Sequence, residues 1–122
     1  MRTADGRIVC LFHSGGCEFS EVCALVGEGG PAVETLARYA DISHAPAAIV
    51  RVSYGRGTAV LSGPHVEYGH SLLDARDPHL APLLPSLREH DAARRALIEH
   101  ILDFAPNRRY KRYSICATYI YG

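Results

Sequence analysis

A mixed α/β fold is predicted by three features of this sequence. These are short β-rich runs in the first half, two such runs meeting at Gly55-Arg56-Gly57, and one helical periodicity between residues 91 and 105. A bundle would lack the strands and a sandwich would lack the helix. A chain of 122 residues, 48% of them apolar, is enough for one small domain with its own core. Its 21% charged fraction, with Tyr, Ile, Val and Leu throughout, excludes a disordered chain. No apolar run reaches the roughly 18–20 residues of a membrane helix, and no internal repeat is visible.

Taken in order, Arg7–His13 is apolar and β-branched and is stopped by Ser14-Gly15-Gly16, so it reads as a strand entering a sharp turn. Gly27, Gly29, Gly30 and Pro31 mark an irregular connection. Val33–Tyr39 fits a strand better than a helix, because a lone turn of helix there would have no long apolar face. Ala48–Tyr54 and Thr58–Ser62 form a β-hairpin, with the glycines flanking Arg56 supplying positive φ. A phosphate-binding glycine loop would need a third glycine, which Gly55-Arg56-Gly57-Thr58-Ala59-Val60 lacks. Pro78, Pro82 and Pro85 interrupt any long helix after Ser71. Asp91 then caps a helix whose apolar residues, Ala93, Leu97, Ile98, Ile101, Leu102 and Ala105, recur at three- and four-residue spacings until Pro106.

The net charge of zero conceals an asymmetry. Residues 1–106 carry 9 basic and 13 acidic groups, whereas residues 107–122 carry 4 basic groups and no acidic one. Neutrality gives no reason to expect nucleic acid as the main partner. The cysteines Cys10, Cys17, Cys23 and Cys116 form no C-x-x-C, which leaves a structural zinc site unsupported. With no secretory signal in the sequence, a reduced, cytoplasmic setting is expected. Cys10, within Ile8–Phe12, reads as a buried small hydrophobe.

Chemistry gathers at Leu61-Ser62-Gly63-Pro64-His65-Val66-Glu67-Tyr68. A histidine and a carboxylate one residue apart, just past a strand end, form the base-and-orienter half of a nucleophilic site. Cys17, approached through Gly15-Gly16, is the one thiol in a turn sharp enough to serve as their nucleophile. His65, Glu67, His70 and His79 lack an ordered ligand spacing, and neither metal nor cofactor is expected. The other histidines, His13, His44, His90 and His100, are scattered.

Several motifs occur together in one order: Gly15-Gly16-Cys17-Glu18-Phe19, Leu36–Tyr39 (LARY), Pro46–Val50 (PAAIV), the Gly-x-Gly hairpin with LSGPHVEY, and the helix DAARRALIEHIL. That order resembles the N-terminal domain of eukaryotic biotin–protein ligases, which is similar to the class I glutamine amidotransferase fold. The resemblance implies a partial amidotransferase-like (flavodoxin-like) α/β sheet with a β-hairpin and a C-terminal helix. It implies that His65 and Glu67 correspond to the His-x-Glu pair. The family's nucleophile would be a cysteine on a G-x-C-x-G-like elbow upstream, and no cysteine here has those flanks. Residues 1–106 are therefore expected to be the C-terminal half of such a domain, beginning near the GGC turn. The implied role is regulatory or interaction-related in protein biotinylation, without catalysis by this chain alone. The implied partners are a ligase catalytic domain or the missing half-domain, and not a membrane.

Two other functions fit the residues. One is a cysteine-dependent amidotransferase or hydrolase using Cys17, His65 and Glu67. The other is a small nucleic-acid-binding module in which Arg108, Arg109, Lys111 and Arg112 alternate with tyrosines. The expectation for 107–122 is an unstructured or read-through extension, whose Tyr-rich end would expose apolar surface unless it pairs with a sheet edge.

Overall fold

The computed structural model describes residues 7–15, 17–19, 32–102 and 113–119. Five strands form one mixed sheet: β1 (Arg7–His13), β2 (Ala32–Tyr39), β3 (Ala47–Tyr54), β4 (Gly57–Ser62) and β5 (Tyr113–Tyr119), in the spatial order β1-β5-β2-β3-β4. β5 runs parallel to both neighbours, pairing Arg7 with Tyr113 through His13 with Tyr119 on one side and Ala37 with Tyr113 through Tyr39 with Ile115 on the other. β2, β3 and β4 are successively antiparallel. Two helices, α1 (Leu84–Glu89) and α2 (Asp91–Leu102), follow short 3₁₀ turns at His70–Leu72 and Ala81–Leu83. The mixed α/β prediction is thus what the chain adopts.

The segment expected as an extension supplies β5. The positive charges end at Arg112, and Tyr113–Tyr119 (YSICATY) holds only tyrosines, apolar and small polar residues. Such an uncharged run suits a parallel strand enclosed between two others. Reading 107–122 as one basic unit averaged the charge over a strand that carries none. Arg108, Arg109, Lys111 and Arg112 themselves lie outside the described residues, as do Cys23 and most of the Gly-rich connection.

The core is built from Val9 and Leu11 of β1, Leu36, Ala37 and Tyr39 of β2, Ala48 and Ile49 of β3, and Leu97 and Ile101 of α2. Leu36 and Ala37 are adjacent yet both buried, because the β2–β3 register shifts between Thr35 and Ala37 and breaks the simple alternation. Ala47 to Arg51 are buried without interruption, so both faces of β3 are covered. Arg51, 5% exposed, meets the Glu34 carboxylate across the β2–β3 ladder at 3.6 Å. On α2 the buried stripe advances in steps of four through Ala93, Leu97 and Ile101. Leu102, counted in the predicted apolar face, turns away and is 63% exposed.

The hairpin turns on two residues, Gly55 and Arg56, with Tyr54 paired to Gly57. Only Gly55 takes the left-handed region, at φ 57°, while Gly57 already belongs to β4. The expectation of positive φ on both sides of Arg56 is corrected accordingly. Pro85 sits in the first turn of α1, where no backbone N–H is required of it.

Candidate functional site

Beyond Ser62 the chain leaves β4 and crosses the sheet to the carboxyl end of β1. Three hydrogen bonds steer it. The Gly63 N–H donates to the Ala48 carbonyl (2.9 Å), the Ser62 hydroxyl donates to the Pro64 carbonyl (2.7 Å), and the His65 N–H donates to the Phe12 carbonyl (2.8 Å). A side chain at Gly63 would collide with the Cys17 carbonyl, which is why the path needs glycine there. That carbonyl also accepts the Tyr39 hydroxyl (2.9 Å), while Phe19 N–H donates to the Ala47 carbonyl (2.9 Å). Cys17 and Phe19 are in this way fastened to β2 and β3 beside the strand exit.

His65 and Glu67 meet as the spacing suggested, with 2.8 Å between Nδ1 and Oε1. An ionised carboxylate can only accept, so Nδ1 carries the proton that Glu67 receives. Burial pushes the Glu67 carboxyl upward. The hydrogen bond from His65, its own backbone N–H and the histidine's charge outweigh that effect and hold it below the usual carboxylate range. Phe12, His65 and Tyr68 form a ring cluster, with centroids 5.8 Å apart for Phe12–His65, 5.6 Å for Phe12–Tyr68 and 5.3 Å for His65–Tyr68.

Two further residues, His13 and Arg94, lie beside this pair. His13, the last residue of β1, packs edge-on against Tyr39 (5.9 Å). Burial first, and then the neighbouring His65, push its imidazole below the ordinary histidine value, partly opposed by Asp41. Arg94 reaches from α2, its Nη1 donating to the Val66 carbonyl (2.9 Å) between His65 and Glu67. Its Nε donates to Asp91 (3.0 Å), and Asp91 also accepts from Arg95 (2.9 Å). Asp91 therefore opens α2 and at the same time aims Arg94 at the loop. His13 could have been noticed from its place at a strand's carboxyl end. Arg94 carried no such signal, since its partner lies 28 residues away.

Cys17 is exposed, and its thiol makes no hydrogen bond to His65 or Glu67. The proposed three-residue constellation is thus joined only through its His–Glu half. His70 Nδ1 lies 3.9 Å from Asp91, and the His79 N–H donates to Asp77 (2.8 Å), so neither joins His65 and Glu67. Among the described residues no group of three or more His, Cys, Asp or Glu side chains is placed to hold a metal ion. None of the described helices is long and apolar enough to cross a membrane.

A family model described as "Biotin-protein ligase, N terminal" matches residues 2–109. An uncharacterized protein of Chlamydia muridarum (strain MoPn / Nigg) is 43% identical over 63 residues, 52% of this chain. The matched stretch covers only 22% of that relative's length. No solved structure matches the chain.

Proposed function

The chain belongs to the biotin–protein ligase N-terminal family, and from that membership we propose that it acts as a regulatory or interaction module in protein biotinylation. In this reading it stands beside a ligase catalytic domain and catalyses nothing by itself. The carrying observation is a His–Glu pair made without its thiol. His65 and Glu67 are bonded at 2.8 Å, while the exposed Cys17 engages the site through its carbonyl alone. The His65 ring, the Glu67 charge and the partly exposed Tyr68 ring together make a polar, aromatic surface suited to recognition. The parallel strands β1, β5 and β2, with the pair lying beyond a strand exit, fit an amidotransferase-like descent of that surface.

The full chain, given biotin, ATP and an acceptor protein, is expected to transfer no biotin, and given glutamine to release no ammonia. It is expected to bind a biotin–protein ligase catalytic domain in calorimetry, with His65→Ala and Tyr68→Ala weakening binding several-fold. Glutamine hydrolysis or biotin transfer that His65→Ala abolishes would overturn the non-catalytic reading. The bonded His65–Glu67 geometry also favours a second reading, a cysteine-dependent hydrolase in which Cys17 approaches Nε2.

A further inference from the structure

β4 lies at one edge of the sheet, laddered to β3 and to no other described strand. Which of its backbone groups face outward follows from that ladder. The Gly63 N–H donates to the Ala48 carbonyl, one step beyond the Ile49–Ser62 pair, and bonded pairs alternate along an antiparallel ladder. Gly57, Ala59 and Leu61 therefore turn their N–H and C=O groups toward β3, whereas Thr58, Val60 and Ser62 turn theirs outward. Among the described residues nothing pairs with those outward groups. Every residue of β4 except Val60 is exposed, Leu61 at 47%. Edge strands are usually blunted by charge, proline or a bulge. The GTAVLS run has no charge and no proline, and its register with β3 is unbroken. The opposite edge differs, since β1 opens on Arg7 and is engaged at Phe12 by His65.

We propose that β4 is an interface with a second copy of this chain, the two strands running antiparallel about a twofold axis at Val60. In that register Thr58 stands opposite Ser62 of the second copy and Val60 opposite its own counterpart, so every outward N–H and C=O meets its complement. On the other face of the strand Ala59 stands opposite Leu61 of the second copy. Hydroxyl meets hydroxyl, β-branched meets β-branched, and no charge meets its like. This self-matching is what selects a second copy over an unrelated strand. A lone strand pairing covers less than the roughly 1,200 Å² that stable complexes bury, so the dimer is reversible and fills as concentration rises. It joins two five-stranded sheets into one. The His65 loop is seated on β1 at the far edge, so the dimer leaves both copies of that surface open and stands independently of the interaction reading above.

Sedimentation equilibrium on the full chain from about 10 μM to about 1 mM, with amide exchange read by NMR at both ends of that range, tests it. Monomer is expected to give way to dimer across the range. Protection at the Thr58, Val60 and Ser62 amides should rise with concentration, while Ala59 and Leu61, already bonded to β3, stay level. Thr58→Pro removes an outward N–H without touching the β3 ladder and should weaken the dimer roughly 10-fold or more. Ala59→Lys sets two ammonium groups diagonally across the axis, with a similar loss expected. Adding Leu61→Glu to Ala59→Lys places a carboxylate opposite each ammonium and should restore much of the affinity. A chain that stays monomeric throughout overturns the proposal, as does a dimer that Thr58→Pro and Ala59→Lys both leave intact. Outward amides that gain protection only when a ligase catalytic domain is added overturn it too, giving the edge to that partner.

Discussion

Arg94 and Val66, 28 residues apart, are joined by a 2.9 Å hydrogen bond from the arginine's Nη1 to the carbonyl that separates His65 from Glu67. Helix α2 thereby holds the site loop by its middle. Asp91, whose carboxyl burial pushes up but Arg94 and Arg95 hold below the usual range, fixes the guanidinium from the other side. Gly69 leaves room for the arrangement: a Cβ there would come within 3.0 Å of Arg94 Nη2 and 3.2 Å of Asp91 Oδ1.

Removing that clasp has a definite expected cost. Arg94→Ala leaves a part-buried carbonyl without its donor and should destabilise the chain by about 1–3 kcal/mol in urea unfolding. Arg94→Lys should recover only a fraction, because an ammonium cannot address Asp91 and Val66 with the fork geometry of a guanidinium.

Gly63 is constrained by space. Gly63→Ala sets a methyl group against the backbone carbonyl of Cys17, which cannot swing aside as a side-chain tip would. A loss of roughly 2–4 kcal/mol is expected. Gly55→Ala meets no neighbour and pays only for φ 57°, about 1 kcal/mol. Thermal unfolding of the two variants should rank them in that order.

Glu67 predicts a loss of stability in acid. Its folded carboxyl lies below the ordinary value of 4.5, so the stability it contributes is present above that pH and is lost as pH falls through the folded value. Glu67→Gln should flatten the wild-type decline between pH 5 and 3 in a urea-midpoint series. The effect will be small, because the carboxylate is 63% exposed and screened by water.

Cys17 distinguishes the recognition surface from the hydrolase. If its thiol is independent of the pair, alkylation of the Cys17 peptide by iodoacetamide, followed by mass spectrometry from pH 6 to 9, should give the same profile in the wild type and in His65→Ala. A profile that shifts when the imidazole is removed would instead place the thiol in partnership with it.

How much of this was legible follows from the range of each interaction. β1, the hairpin and α2 could be read because period, Gly-x-Gly and four-residue spacing are local signals, and the His65–Glu67 contact spans two residues. β5 was misread because its partners lie 106 residues upstream at Arg7 and 76 upstream at Ala37, while its nearest neighbours in sequence are charges. The Arg94–Val66 bond and the Phe12–His65 bridge depend on that same long-range assembly. The turn between β2 and β3 left no trace either: His44 and Ala45 take φ 61° and 41° without a glycine between them. What ordered motifs supplied was the family, and what only the fold could supply was which residues surround the pair.

β5 lies second in the sheet but last among the described strands in sequence. β1 is laddered along its length to β5 alone among the named strands, so its place in the sheet waits until residues 113–119 are available. The β2–β3–β4 meander, whose pairings are short in sequence, can form early, whereas joining β1 requires closing a loop of about a hundred residues. Such a contact map predicts slow, late completion of the sheet, with the site loop, seated on β1, among the last parts to be organised. Whatever partner reads the His65 surface therefore reads a chain that has finished folding.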